Sequence, residues 1–222
     1  MRRLPRFSRY QLAEIRQSKP LSELRSITRV ALIDDEPFRL MQPLRSHGFN
    51  IVELGGDVSS LEQVAPYPVI VSDIRGVATG LNSSLEGAHL ISEIRKSYPD
   101  KYLVAYTGVA QSIRYSDALS KADRNLPKGA PAEEWVAALD MGLEAVGTAH
   151  NRWLRFRMHL LKQGIDSFDL YKLEQAFVAS CIDSNAAPFE RRARRLPSEA
   201  EEMAIAFART ALVGLIAGAT SA

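Results

Sequence analysis

Val30-Ala31-Leu32-Ile33-Asp34-Asp35 and Val69-Ile70-Val71-Ser72-Asp73 decide the fold. Each is a short apolar run that stops on a carboxylate. A run without polar alternation reads as a strand covered on both faces, as in a parallel sheet between helices. The same rhythm continues outward. Residues 51–54 and 103–106 read as two more strands, and 124–127 as a short fifth. Residues 37–46, 59–65, 87–97 and 111–122 read as helices between them, and a further helix begins near Pro131. Within 87–97, Leu90, Ile91 and Ile94 fall at helical spacing. Five strands alternating with helices predict an α/β fold, a flavodoxin-like doubly wound five-stranded parallel sheet, followed by an all-α C-terminal module.

Such sheets bind ligands beyond the carboxyl ends of their strands. Asp34 and Asp35 end the first strand and Glu36 follows; Asp73 ends the third, Thr107 the fourth and Lys128 the fifth. All fall on one predicted rim. Carboxylates gathered there repel one another unless a cation balances them. Oxygen-only ligands select a hard cation such as Mg²⁺, which keeps waters and accepts a phosphoryl oxygen. A lysine adds a point charge for a phosphoryl oxygen, and a threonine hydroxyl can donate to another. This is equipment for moving a phosphoryl group onto a carboxylate.

The segments VALIDD (30–35), VIVSD (69–73), AYTG (105–108) and LPK (126–128) resemble the receiver domain of two-component response regulators, over about residues 29–149. The resemblance implies Asp73 as the acceptor of phosphate from a histidine kinase or phosphotransfer protein. It implies Mg²⁺ on Asp34, Asp35, Asp73 and the backbone carbonyl of Arg75. Thr107 becomes the switch hydroxyl and Lys128 the phosphate contact. The protein is then a phosphoacceptor rather than an enzyme, with at most self-catalysed phosphotransfer and autodephosphorylation. Three features depart from the family pattern. Pro127 precedes Lys128 and Gly129 follows it, where the family has proline directly after the lysine. Asn125 stands where the family often has an aromatic switch residue. The loop 74–86 is longer than usual and rich in Gly, Asn and Ser, which suits either a partner-specific lid or a tolerated surface insertion.

The chain divides by charge. Residues 1–29 carry eight basic and two acidic residues, 30–150 ten and sixteen, and 151–222 ten and eight. Three segments follow: an N-terminal helical extension over 1–28, the receiver over 29–149, and a helical output or dimerisation module over 150–222. Leu12, Ile15, Leu21, Leu24 and Ile27 are expected to pack on the receiver or its dimer mate, with a disordered basic arm as the alternative. Val136, Leu139, Leu143, Val146, His150, Trp153, Arg157 and Leu160 keep a 3–4 spacing, which predicts one helix over about 131–163 bridging receiver and module. Ser167 is expected to cap a helix to about 182, and Ser198 with Glu201 to form a capping box for a last one.

The module is expected to mediate a homodimer, through the long helix and the C-terminal helices, or to dock a partner. Its run Glu190-Arg191-Arg192-Ala193-Arg194-Arg195 can grip phosphates, so a DNA-binding transcriptional regulator is the alternative. It is not preferred, because no polar recognition helix is evident. A pseudo-receiver acting as a constitutive interaction module is the other alternative. The single cysteine, Cys181, excludes an intrachain disulfide and fits a cytoplasmic setting. The most apolar stretch, 204–219, is interrupted by Arg209 and is too short to span a bilayer.

Overall fold

The structure is a computed structural model that describes residues 10–17, 19–82, 84–108 and 113–212. The expected helix start at Gln111 and the apolar position Leu215 lie outside them. The chain forms two compact units, Lys19–Gly147 and Met1–Ser18 with Thr148–Ala222.

In the first unit, β1 (Arg29–Ile33), β2 (Asn50–Glu53), β3 (Val69–Asp73), β4 (Tyr102–Thr107) and β5 (Arg124–Pro127) form one sheet in the order 2-1-3-4-5. Every neighbouring pair is parallel. This is the flavodoxin-like arrangement, whose switch point lies between β1 and β3. The helices are α1 (Leu21–Ile27), α2 (Met41–Ser46), α3 (Glu86–Ser97), α4 (Ser116–Lys121) and α5 (Ala132–Val146). Both faces of β1, β3 and β4 are buried, which is why these strands read as unbroken apolar runs. On one face Val30, Leu32, Val69, Val71, Val104 and Tyr106 meet Trp135, Leu139, Leu143 and Val146 of α5. On α3, Ala88, Leu90, Ile91 and Ile94 are buried, and this helix packs on β3 and β4. The stretch 59–65 contains only a three-residue 3-10 turn, Leu61–Gln63, and α2 is shorter than the expected 37–46.

The N-terminal extension does not act as one piece. α1 joins the sheet unit: Leu24 is in its core, and Arg25 grips Asp140 of α5 with two hydrogen bonds of 2.8 and 2.6 Å. Ile27 stays half exposed. A 3-10 turn, Leu12–Ile15, belongs instead to the other unit, where Leu12 and Ile15 pack against its core. The sheet unit therefore begins at Lys19 rather than residue 29.

The single helix expected over 131–163 is two helices, α5 and α6 (Ala149–Lys162). Gly147 closes α5, its N–H donating to the Leu143 carbonyl at 2.6 Å. A side chain there would meet that carbonyl oxygen at 2.4 Å and Leu24 at 2.7 Å, so this turn requires glycine. Thr148 then adopts extended backbone and caps α6, its hydroxyl accepting the Asn151 N–H at 3.2 Å. Each helix has its own apolar stripe, and the two stripes run in phase in the sequence. Spacing alone therefore reads through the break.

The second unit adds α7 (Ser167–Ile182), α8 (Ala187–Ala193) and α9 (Ser198–Phe207), which runs into a wide π turn, Ala208–Leu212. Asp166, not Ser167, caps α7, accepting the Phe168 N–H at 2.8 Å. Pro197 stands at the cap of α9 with no side-chain cap bond, so the capping box does not form. The core is a cluster of large rings: Phe156 stacks on Phe207 with centroids 4.5 Å apart, and Trp153 on Phe177 at 4.9 Å. The Trp153 indole N–H donates to Glu174 at 2.8 Å, which lets the ring be fully buried. Burial pushes the Cys181 thiol up to about 12, as suits an inert structural cysteine. Arg192 is paired with Asp169, so one of the four clustered arginines is already engaged. Among the described residues no helix is long and apolar enough to cross a membrane.

Candidate functional site

The sheet register places the ends of β1, β3, β4 and β5 on one rim. Asp34 follows β1, Asp73 ends β3, Thr107 ends β4, and Lys128 follows β5, its N–H donating to the Thr107 carbonyl at 3.0 Å. Asp35, Glu36, Asp73, Arg75, Gly76, Glu86, Thr107, Gly108 and Lys128 line an open cleft of about 350 Å³ there. The sequence-predicted residues are thus brought together. Asp34 lies just behind the cleft wall, its side chain only 6% exposed.

Asp73 is the buried member, with a side chain 3% exposed. One oxygen accepts the backbone N–H groups of Ile74 at 2.6 Å and Arg75 at 3.3 Å. The other meets the Lys128 ammonium at 2.6 Å. Burial pushes the Asp73 carboxyl above its ordinary range, against the opposing pull of Lys128 and the two N–H groups. Lys128 also lies 3.5 Å from Glu36 and 4.0 Å from Asp34. Partial burial works against its charge. The hydrogen bond to Asp73, with the charges of Asp73, Asp34 and Glu36, outweighs burial and raises its pKa.

Carboxylate oxygens of Asp34, Asp35 and Asp73 lie within 4.8 Å of one another. Three acids this close repel one another, and the Lys128 ammonium that meets Asp73 is itself one-third exposed. The donor set is all oxygen, so the residues fit a hard divalent cation. Gly76 permits the approach of Asp35: its φ is +76°, and a side chain there would stand 2.4 Å from an Asp35 oxygen.

Loop 74–86 is tethered at its entry. Ile74, Val77 and Ala78 are fully buried, and the Ala78 N–H donates to the Gly56 carbonyl at 2.8 Å. At its exit, Glu86 accepts the Gly76 N–H at 2.8 Å with its side chain, and its own φ is +51°. A freely swinging lid is therefore not what the first half of the loop offers. The Asn125 side chain, in the place of an aromatic switch, donates to the Leu119 carbonyl at 3.0 Å.

Two residues that the sequence reading passed over belong to the site. Glu86 lines the cleft from the start of α3. Tyr106, 1% exposed, donates its hydroxyl to Asp34 from the middle of the core. Burial first, then that bond and the nearby acids, raise the phenol far above its ordinary pKa, so it remains a donor.

No family model matches the chain, and no curated protein does. Among the solved structures to which it is similar are receiver domains and response regulators. One is a CheY-like receiver domain protein from Methanospirillum hungatei, at 17% identity, covering 54% of this chain and 96% of that one with a TM-score of 0.44. A response regulator from Burkholderia pseudomallei, described with a phosphorylated aspartic acid, a calcium ion and citrate, has 19% identity, 74% and 97% coverage and a TM-score of 0.41. Full-length FixJ from B. japonicum has 16% identity, 88% and 98% coverage and a TM-score of 0.44.

Proposed function

We propose that this chain is a response regulator of a two-component phosphorelay, with Asp73 as the phosphoacceptor. The observation that carries the proposal is the rim itself: a buried aspartate 2.6 Å from a lysine, with two further acids within 4.8 Å, all at strand ends. An Asp73 oxygen attacks the phosphorus of a phosphohistidine on a kinase or phosphotransfer protein. The new O–P bond forms as the N–P bond breaks, and the departing imidazole nitrogen takes up a proton. Bound by Asp34, Asp35 and Asp73, with the Arg75 carbonyl, Mg²⁺ would offset charge on the phosphoryl oxygens. The Lys128 ammonium moves from carboxylate to phosphoryl oxygen, and the Thr107 hydroxyl donates to a second one. The Ile74 and Arg75 N–H groups hold the acceptor carboxylate in place meanwhile.

In this reading the protein catalyses only its own phosphotransfer and dephosphorylation, and works in the cytoplasm. The helical unit is the output. Leu154, Met158 and Leu161 leave an apolar stripe on α6 that is 37, 53 and 36% exposed, which a second copy or a partner helix would cover.

The test is incubation with acetyl phosphate and Mg²⁺, then separation of phosphorylated from unphosphorylated protein. The expected product is a base-labile phosphate on the wild type that needs the cation and is absent from Asp73→Asn. Labelling that survives Asp73→Asn rules out Asp73 as the acceptor, and none on the wild type rules the proposal out and leaves a pseudo-receiver.

A further inference from the structure

We propose that Tyr106 is the positioning residue of the cation site, fixing Asp34 from behind and seating Lys128 beside it. The inference rests on the reading of the rim as a Mg²⁺-dependent phosphoacceptor site.

Asp34 is held at both oxygens. One accepts the Glu36 N–H at 3.0 Å, a local turn that any acid at this position can make. The other accepts the Tyr106 hydroxyl, from a residue 72 positions away on β4. Tyr106 is not among the residues lining the cleft and cannot touch a bound phosphoryl group. It acts through Asp34. Its ring also faces the Lys128 ammonium, 5.9 Å from the centroid. One buried side chain therefore bonds Asp34 and presents its ring face to the Lys128 ammonium.

The ring itself is wedged. Phe38, just after the acid pair, and Trp135 of α5 meet it edge-on at 5.7 and 5.2 Å, and they meet each other at 5.0 Å. Three rings packed edge-to-face, at interplanar angles of 67, 75 and 80°, leave the phenol little freedom, so its hydroxyl is a fixed donor. A fixed outer donor orients a ligand carboxylate, and losing one typically costs about tenfold or more in metal affinity.

Tyr106→Phe keeps the ring and its packing and removes the hydroxyl alone. Phosphorylation of the full chain by acetyl phosphate is followed against Mg²⁺ concentration. The expected result is a split: about a tenfold higher Mg²⁺ concentration for half-maximal rate, with the rate at saturating Mg²⁺ unchanged. Identical half-saturation in variant and wild type overturns the proposal, as does an equal fall in rate at every Mg²⁺ concentration. A wild type that shows no Mg²⁺-dependent labelling of Asp73 instead overturns the phosphoacceptor reading beneath it. Should Tyr106→Phe melt below the assay temperature, the wild type decides. Titration with Mg²⁺ should perturb its near-ultraviolet tyrosine band with the half-saturation seen in phosphorylation, and a silent band overturns the proposal.

Discussion

Replacing Lys128 by methionine keeps the aliphatic stem and deletes the charge that balances the rim. Asp73 is 3% exposed and has this ammonium 2.6 Å away. Removing one partner of a fully buried ion pair costs about 3–5 kcal/mol. Here the lysine is one-third exposed, and two backbone N–H groups still serve Asp73 after the change. The expected loss is therefore about 2 kcal/mol, below the fully buried range and above that of a surface pair. For a domain of this size that is a fall in Tm of roughly 8 °C. The assay is thermal melting of the full chain in EDTA, repeated with Mg²⁺. In the wild type a cation has to displace the ammonium from the carboxylates, whereas in Lys128→Met nothing competes. The variant should bind Mg²⁺ more tightly, and a concentration tenfold above its Kd returns about 1.4 kcal/mol. The gap between the two proteins should therefore narrow when Mg²⁺ is added. A gap of the same size with and without Mg²⁺, or no gap in EDTA, would refute the electrostatic account of the rim.

Two further outcomes follow from the same geometry. Burial holds the Asp73 carboxyl above its ordinary value, so the unfolded chain gives up this proton at lower pH than the folded one. Ionisation above about pH 4 therefore favours unfolding, fully so above the raised folded value. In EDTA, Asp73→Asn should melt higher than wild type at pH 7, with the difference fading as pH falls to about 4; an equal difference at both pH values contradicts this. Gly76→Ala places a Cβ 2.4 Å from an Asp35 oxygen at a φ of +76°. It should lose about 1–2 kcal/mol and raise the Mg²⁺ needed for half-maximal phosphorylation about tenfold, read by melting and by a cation titration; an unmoved titration contradicts the placement of Asp35.

The rim was legible because strand periodicity and strand-end chemistry are both local. An apolar run ending on Asp73 announces a buried strand and an acid at its tip in five residues. Tyr106 was not legible. A tyrosine inside a strand is ordinary core material, and what distinguishes this one is an oxygen on Asp34, 72 residues earlier. The break at Gly147–Thr148 did leave a signal, a threonine three residues before Asn151. It was outweighed because the apolar spacing of α5 and α6 continues across it without a change of phase. The division of the N-terminal segment left none. Leu12 and Leu24 look alike in sequence, and only tertiary partners send them to different cores.

Residues 10–17 complete a unit whose remaining elements begin at Thr148. Tyr10 and Gln175, 165 positions apart, exchange hydrogen bonds of 3.1 and 2.8 Å. The sheet domain is in effect an insertion within the helical one. During synthesis the leading turn leaves the ribosome long before the helices it serves, with the whole sheet unit between them. Dissection inherits the same constraint: a fragment starting at residue 148 lacks Leu12 and Ile15, which pack against its core, whereas the apolar cluster of the sheet unit lies wholly within 19–147.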